Sequence, residues 1–174
     1  MPPASSRGAE RRPTRSGNGS SKQEAKGRND AVTLLLRDHD KVRELLAELV
    51  GTDDAEERRD LLEQIEHEIK VHSKVEEKIF YPAFKEAVQD EDGQKLFYEA
   101  TEEHHVVDMV IPEIKRTDPS SDEFAGKAKV LKDLIEHHAK EEEQEMFPEA
   151  RRTMGKDELD RLGEEILRMK EKMN

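Results

Sequence analysis

Two copies of the pattern His-x-x-x-Glu stand in this chain, His72 with Glu76 and His138 with Glu142, on apolar helical stripes where leucine or valine is expected. Four residues of α-helix turn through about 400°, so the two side chains of each pair leave one face a turn apart. The stripes run Leu61, Ile65, Ile69, His72, Glu76, Ile79 and Leu131, Leu134, His138, Glu142, Met146. Two further histidines interrupt similar stripes: His39 among Leu35, Val42, Leu46 and Leu49, and His104 among Leu96, Ala100, Val107, Ile111 and Ile114. The two His-x-x-x-Glu pairs are as far apart as Pro82 is from Pro148, and His39 and His104 are one residue closer. Such a repeat predicts two helix pairs of one design, closing into an all-α, antiparallel up-down four-helix bundle of approximate two-fold symmetry.

Composition agrees with a bundle. Of 174 residues, 41% are charged and only 33% hydrophobic, a balance that suits helices needing one apolar stripe each. The length allows one domain with a real core. There is no cysteine, which excludes disulfides, thiolate metal sites and thiol catalysis. No apolar run reaches membrane-spanning length, and no secretory signal opens the chain, so a cytoplasmic protein is expected. Net charge is −12; residues 1–28 carry seven basic and two acidic residues, which leaves −17 on the rest. An acidic body repels nucleic acid, and the basic tail has no aromatic residue for base stacking, so no nucleic-acid partner is expected.

Three regions are expected: a disordered basic tail over 1–29, the bundle over 30–151, and a C-terminal amphipathic helix over 152–174. The first helix should start near Asp30, Asp53 with Glu56 should cap the second, and Ser120 with Glu123 the fourth. Pro82 should bend or interrupt the second helix, and Asp90 to Gly93 should form a turn before the third. The last helix aligns Leu159, Leu162, Ile166, Met169 and Met173, a stripe suited to lying across the bundle or to a homodimer contact.

A lone histidine on an apolar stripe is usually a hydrogen-bonded core residue. Four of them with two carboxylates in repeat-related places need another explanation, because unpaired ionised carboxylates in an apolar core cost several kcal/mol. Cations between them supply it. Imidazole and carboxylate without thiolate suit iron or manganese, with zinc as an alternative. His105, His137 and His67 read as peripheral, although an alternative register would use His105. Tyr81 and Tyr98 read as boundary packing or as donors near the centre, and Glu141 and Glu143 as solvated neighbours of the one in-phase glutamate, Glu142.

Asp38-His39, His72-x-x-x-Glu76 with Phe80-Tyr81-Pro82, Glu103-His104, and His138-x-x-x-Glu142 with Phe147-Pro148 together resemble the hemerythrin-like, or HHE cation-binding, domain across about residues 31–150. The resemblance implies a non-haem di-iron centre bridged by two carboxylates, with His39, His72, Glu76, His104, His138 and Glu142 as ligands. It further implies reactions with O2, peroxide, nitric oxide or iron itself. It makes iron the preferred metal. Oxygen-carrying members of that family place a second histidine four residues after the first on the third helix; here that position is Asp108, read as an extra ligand, an acceptor for a ligand imidazole, or a surface residue. Three functions fit: an oxidoreductase acting on peroxide or O2, a reversible O2-binding or sensing module, and a non-catalytic iron-binding protein.

Overall fold

A computed structural model of the chain describes residues 29–88 and 90–173. The expected tail over 1–29 lies outside them, except for its last residue. Helix α1 (Ala31–Gly51) is followed by α2 (Ala55–Val75), which runs through a π-helical turn, Glu76–Phe80, into α3 (Tyr81–Ala87). Helix α4 (Glu91–Lys115) precedes α5 (Asp122–Glu141), which passes through a second π-helical turn, Glu142–Met146, into α6 (Phe147–Thr153). Helix α7 (Gly155–Met173) closes the chain. The long helices pack as an antiparallel four-helix bundle in the cyclic order α1, α2, α4, α5.

Caps hold the helix starts, because the first N–H groups of a helix lack intrahelical acceptors. Asp30 accepts from the Thr33 N–H, Asp90 from Gly93, and Ser121 from Phe124. The second helix is capped by Asp54, which accepts from Glu56 and Glu57, not by Asp53. Both misplaced caps, Asp54 for Asp53 and Ser121 for Ser120, move one residue along the chain. Gly93 lies inside the first turn of α4 rather than in a preceding turn; a β-carbon there would come within 2.8 Å of Val88 Cβ.

The prolines do not interrupt their helices. Pro82 and Pro148 each stand six residues after a stripe glutamate, as the second residue of a short helix that leaves a π-helical turn. In those turns the Tyr81 N–H bonds the Glu76 carbonyl, and the Phe147 N–H bonds the Glu142 carbonyl, five residues back. The widened turn admits the extra residue and places proline in a first turn, where its ring clashes with nothing and no N–H is required.

Two apolar clusters fill the bundle. One joins Leu35, Val75, Phe80, Tyr81, Phe84, Met146, Phe147, Leu162 and Ile166; the other joins Val42, Leu46, Ile65, Ile111, Phe124 and Leu131. The histidines and glutamates form a polar layer between them. At the far end buried Arg58 donates to the Thr52 and Pro119 carbonyls, tying the α1–α2 and α4–α5 connections together.

Helix α7 lies on the bundle, with Leu159, Leu162 and Ile166 buried against the same chain. Gly163 makes this docking close: a β-carbon there would sit 2.0 Å from the Asn29 carbonyl oxygen. That oxygen is backbone and cannot swing aside. Gly163→Ala is therefore expected to lower stability by about 3 kcal/mol, measured by chemical unfolding. A variant as stable as the parent chain would show that α7 docks differently.

Candidate metal centre

The π-helical turns begin at Glu76 and Glu142, so the two carboxylates enter the bundle where the helices widen. Both are buried, as are His39, His72, His104 and His138. The structure brings all six into one cluster. His39 Nε2 and His72 Nε2 lie 3.1 Å apart, and His104 Nε2 and His138 Nε2 lie 3.2 Å apart. Each glutamate stands between these pairs. Glu76 Oε2 is 3.1 Å from His72 Nε2 and 3.3 Å from His104 Nε2. Glu142 Oε2 is 3.2 Å from His39 Nε2 and 3.6 Å from His138 Nε2.

The far nitrogen of every imidazole is also held. His39 Nδ1 meets Glu143 at 2.8 Å, His72 Nδ1 meets Asp38 at 3.2 Å, His104 Nδ1 meets Glu77 at 3.2 Å, and His138 Nδ1 meets Glu103 at 2.8 Å. These four carboxylates are chain neighbours of the six, yet each serves a histidine on a different helix. A carboxylate on Nδ1 orients the ring so that Nε2 faces inward. Glu143, expected to be solvated surface, is thus part of the arrangement, and so is Glu77. The signal was present as an acidic residue beside His39, Glu76, His104 and Glu142. Glu143→Gln is expected to weaken metal retention about tenfold, read by competition with a chelator; an unchanged affinity would count against an orienting role.

Electrostatics follow the same geometry. Burial opposes a charge on His72, but Glu76 and Asp38 outweigh it and hold its pKa up to about 10. Burial likewise opposes charge on His39 and His104, and their carboxylate partners raise both. Glu76 would be raised by burial, yet His72 and His104 hold it well below the usual carboxylate range. The hydrogen bond from His39, helped by Arg43, takes Glu143 down to about 2.

Tyr81 is wholly buried in the centre rather than packed at its boundary. Its hydroxyl donates to Glu142 Oε1 at 2.8 Å and lies 3.4 Å from His104 Nε2. Burial first, then Glu142 and Glu76, push the phenol well above its ordinary pKa, so it keeps its proton. In the repeat Tyr81 corresponds to Phe147; the two rings stack on His104 and His39 with centroids 5.6 Å away. Tyr98 is exposed and accepts from Lys85.

The structure does not bring Asp108 to the cluster. It is exposed on α4, and Val107 takes the buried position. On α4 the packed face runs Ala100, His104, Val107, Ile111 and Ile114, so the residue three after His104 is buried and the one four after it is not. His105, His137 and His67 are exposed as expected. A cavity of about 30 Å³ adjoins the imidazoles, walled by Val42, Ile69, Val107, Ile135 and Ala139. That is room for a water or a diatomic molecule.

Residues 30–150 match the family described as Hemerythrin HHE cation binding domain. The chain belongs to the hemerythrin HHE cation-binding family. Its cluster has the geometry of a hemerythrin-type metal site. The crystal structure of a hemerythrin HHE cation-binding domain-containing protein from Mycobacterium kansasii superposes with a TM-score of 0.72 at 27% identity, covering 83% of this chain and 86% of that one. A DNA nickase from Nostoc sp. is 26% identical over 140 residues, 80% of this chain but only 39% of the nickase. No helix among the described residues is long and apolar enough to cross a membrane.

Proposed function

We propose that this HHE domain holds two iron ions and serves redox chemistry with peroxide or O2. One observation carries the dinuclear reading: Glu76 Oε1 and Glu142 Oε2 are buried without a hydrogen bond, on two carboxylates whose oxygens stand against all four imidazoles. A buried carboxylate oxygen left unsatisfied is costly, and a cation removes the cost. His39 with His72 would hold one ion, His104 with His138 the other, and Glu76 with Glu142 would bridge them. The donor set fits iron, because imidazole and carboxylate without thiolate support both its common oxidation states. Manganese or zinc would satisfy the same geometry and are outcomes of metal analysis.

Two irons there would exchange electrons with O2, peroxide or nitric oxide. The chain's own residues do the rest. The outer carboxylates keep each Nε2 aimed inward. Tyr81 keeps a proton on its phenol oxygen and donates it to Glu142, fixing that side chain's angle. The apolar cavity beside the imidazoles is of a size that suits a small ligand.

Each metal position has two histidines, and Asp108 supplies no third nitrogen, so shared carboxylates and the phenol make the surroundings oxygen-rich. Hard oxygen donors favour the ferric state. The iron-loaded protein is therefore expected to oxidise irreversibly in O2 and to evolve oxygen from added peroxide, followed with an oxygen electrode. An oxygenated spectrum that vanishes on purging, with no peroxide decomposed, would favour a carrier or sensor instead. Iron analysis showing one zinc per chain would remove the di-iron reading. The nicking of DNA belongs to the Nostoc relative as a whole, and the acidic body of this chain does not support carrying it over.

A further inference from the structure

The repeat makes the two halves of the centre nearly equal in geometry, and the charges behind them are not equal. Behind His39 and His72 stand Glu143 and Asp38; behind His104 and His138 stand Glu77 and Glu103. The Nδ1–carboxylate distances are 2.8 and 3.2 Å in the first half and 3.2 and 2.8 Å in the second. Orientation therefore does not separate the halves.

Cations do. Arg43 pairs with Glu143 at 2.7 Å, and Lys170, reaching in from α7, contacts both oxygens of Asp38. Lys170 and Asp38 are largely buried, with 18% and 16% of their side chains exposed. In the second half, the repeat position of Arg43 is Asp108, an acid, and Glu77 has no Lys or Arg partner among the described residues. Glu103 has only exposed His137, 3.6 Å away and shared with Glu141. Two cations thus stand behind His39/His72, Arg43 being shared with exposed Asp40 at 3.6 Å, and no Lys or Arg stands behind His104/His138 among the described residues. Tyr81 adds an oxygen beside His104, where Phe147 offers none to His39.

We propose that the two metal positions are inequivalent, and that the His104/His138 position takes the first divalent cation because its outer carboxylates are not neutralised. This rests on the dinuclear reading above. Two uncompensated charges within one or two residue lengths of a partly buried cation are worth about a tenfold preference. Arg43 and Lys170 set the difference without touching the metal.

The test uses zinc(II) alone, added stepwise to the full-length, chelator-treated protein, with the histidine side-chain NMR signals followed. The first equivalent is expected to shift His104 and His138, and the second His39 and His72. Asp108→Arg, an exposed change that copies the repeat's Arg43, should erase most of the order; Asp108→Asn should weaken it less. Lys170→Met should also narrow the gap, by leaving Asp38 uncompensated. Zinc entering His39/His72 first, or both halves together, would overturn the inequivalence while leaving two equivalents bound. An order untouched by Asp108→Arg would overturn the charge argument. Zinc that shifts none of the four histidines would instead overturn the dinuclear reading, and this inference with it.

Discussion

Replacing Glu76 or Glu142 with glutamine is expected to leave a folded protein that no longer retains two metal ions. Glutamine keeps the side-chain shape, so the π-helical turns and the apolar clusters on either side of the polar layer have no reason to move. What it removes is the negative charge shared by both histidine pairs. Each glutamate lies within 3.6 Å of an Nε2 from each half of the centre, so either substitution affects both positions. An amide also turns an N–H donor toward imidazoles that must present lone pairs. Changes in groups that only orient ligands cost about 10–100-fold in affinity, and loss of a bridging carboxylate should exceed the upper end of that range. Elemental analysis after anaerobic iron reconstitution gives the answer, with Glu77→Gln and Glu143→Gln as partial-loss comparisons. Two irons retained in Glu142→Gln would mean that the orphaned oxygens are not where the metals bind.

Metal uptake should strengthen steeply with pH. In the metal-free protein His72 holds its proton up to about 10, against 6.5 for an unperturbed imidazole, and His39 and His104 are raised as well. A metal needs neutral Nε2 atoms, so each such proton must leave when the ion enters. Affinity should therefore rise about tenfold per pH unit for each proton displaced, at every pH below about 10 for His72. Folding responds with the opposite sign. A raised histidine pKa stabilises the metal-free fold fully below 6.5 and ceases to do so as pH climbs through about 10. Glu143, lowered from 4.5 to about 2, stabilises above 4.5 and loses its contribution as pH falls through about 2. Calorimetric zinc titrations in buffers of different ionisation enthalpy would count the protons released. Release of none at neutral pH would show that the imidazoles are neutral before the metal arrives.

The six inward residues were legible because helical phase is local. Side chains three or four positions apart lie close to one face of a helix, and a polar residue in an apolar stripe is visible at once. The repeat added the pairing of halves, and with it the bundle. Phase also misled. At Asp108 the count of four suggested an inward residue, but burial follows the packed surface of the bundle and selected Val107. At Glu76 and Glu142 the extra residue of each π-helical turn shifts everything after it. Only the proline six positions on marks that shift in the sequence.

Residue order thus determined the helices, their apolar faces, the six-residue cluster and the charge carried by each repeat, all consequences of spacing along one helix. Tertiary structure decided what crosses between helices. Asp38 is beside His39 in the chain but holds His72, because a neighbour about 100° around a helix points at the next helix. Lys170 reaches Asp38 only because Gly163 lets α7 lie against the start of α1. Tyr81 enters the centre because the widened turn rotates it inward, while its repeat partner Phe147 stacks on His39 without a hydroxyl to offer. Such contacts depend on the distance and rotation between helices, which are set by packing of the whole core and leave no period in the sequence.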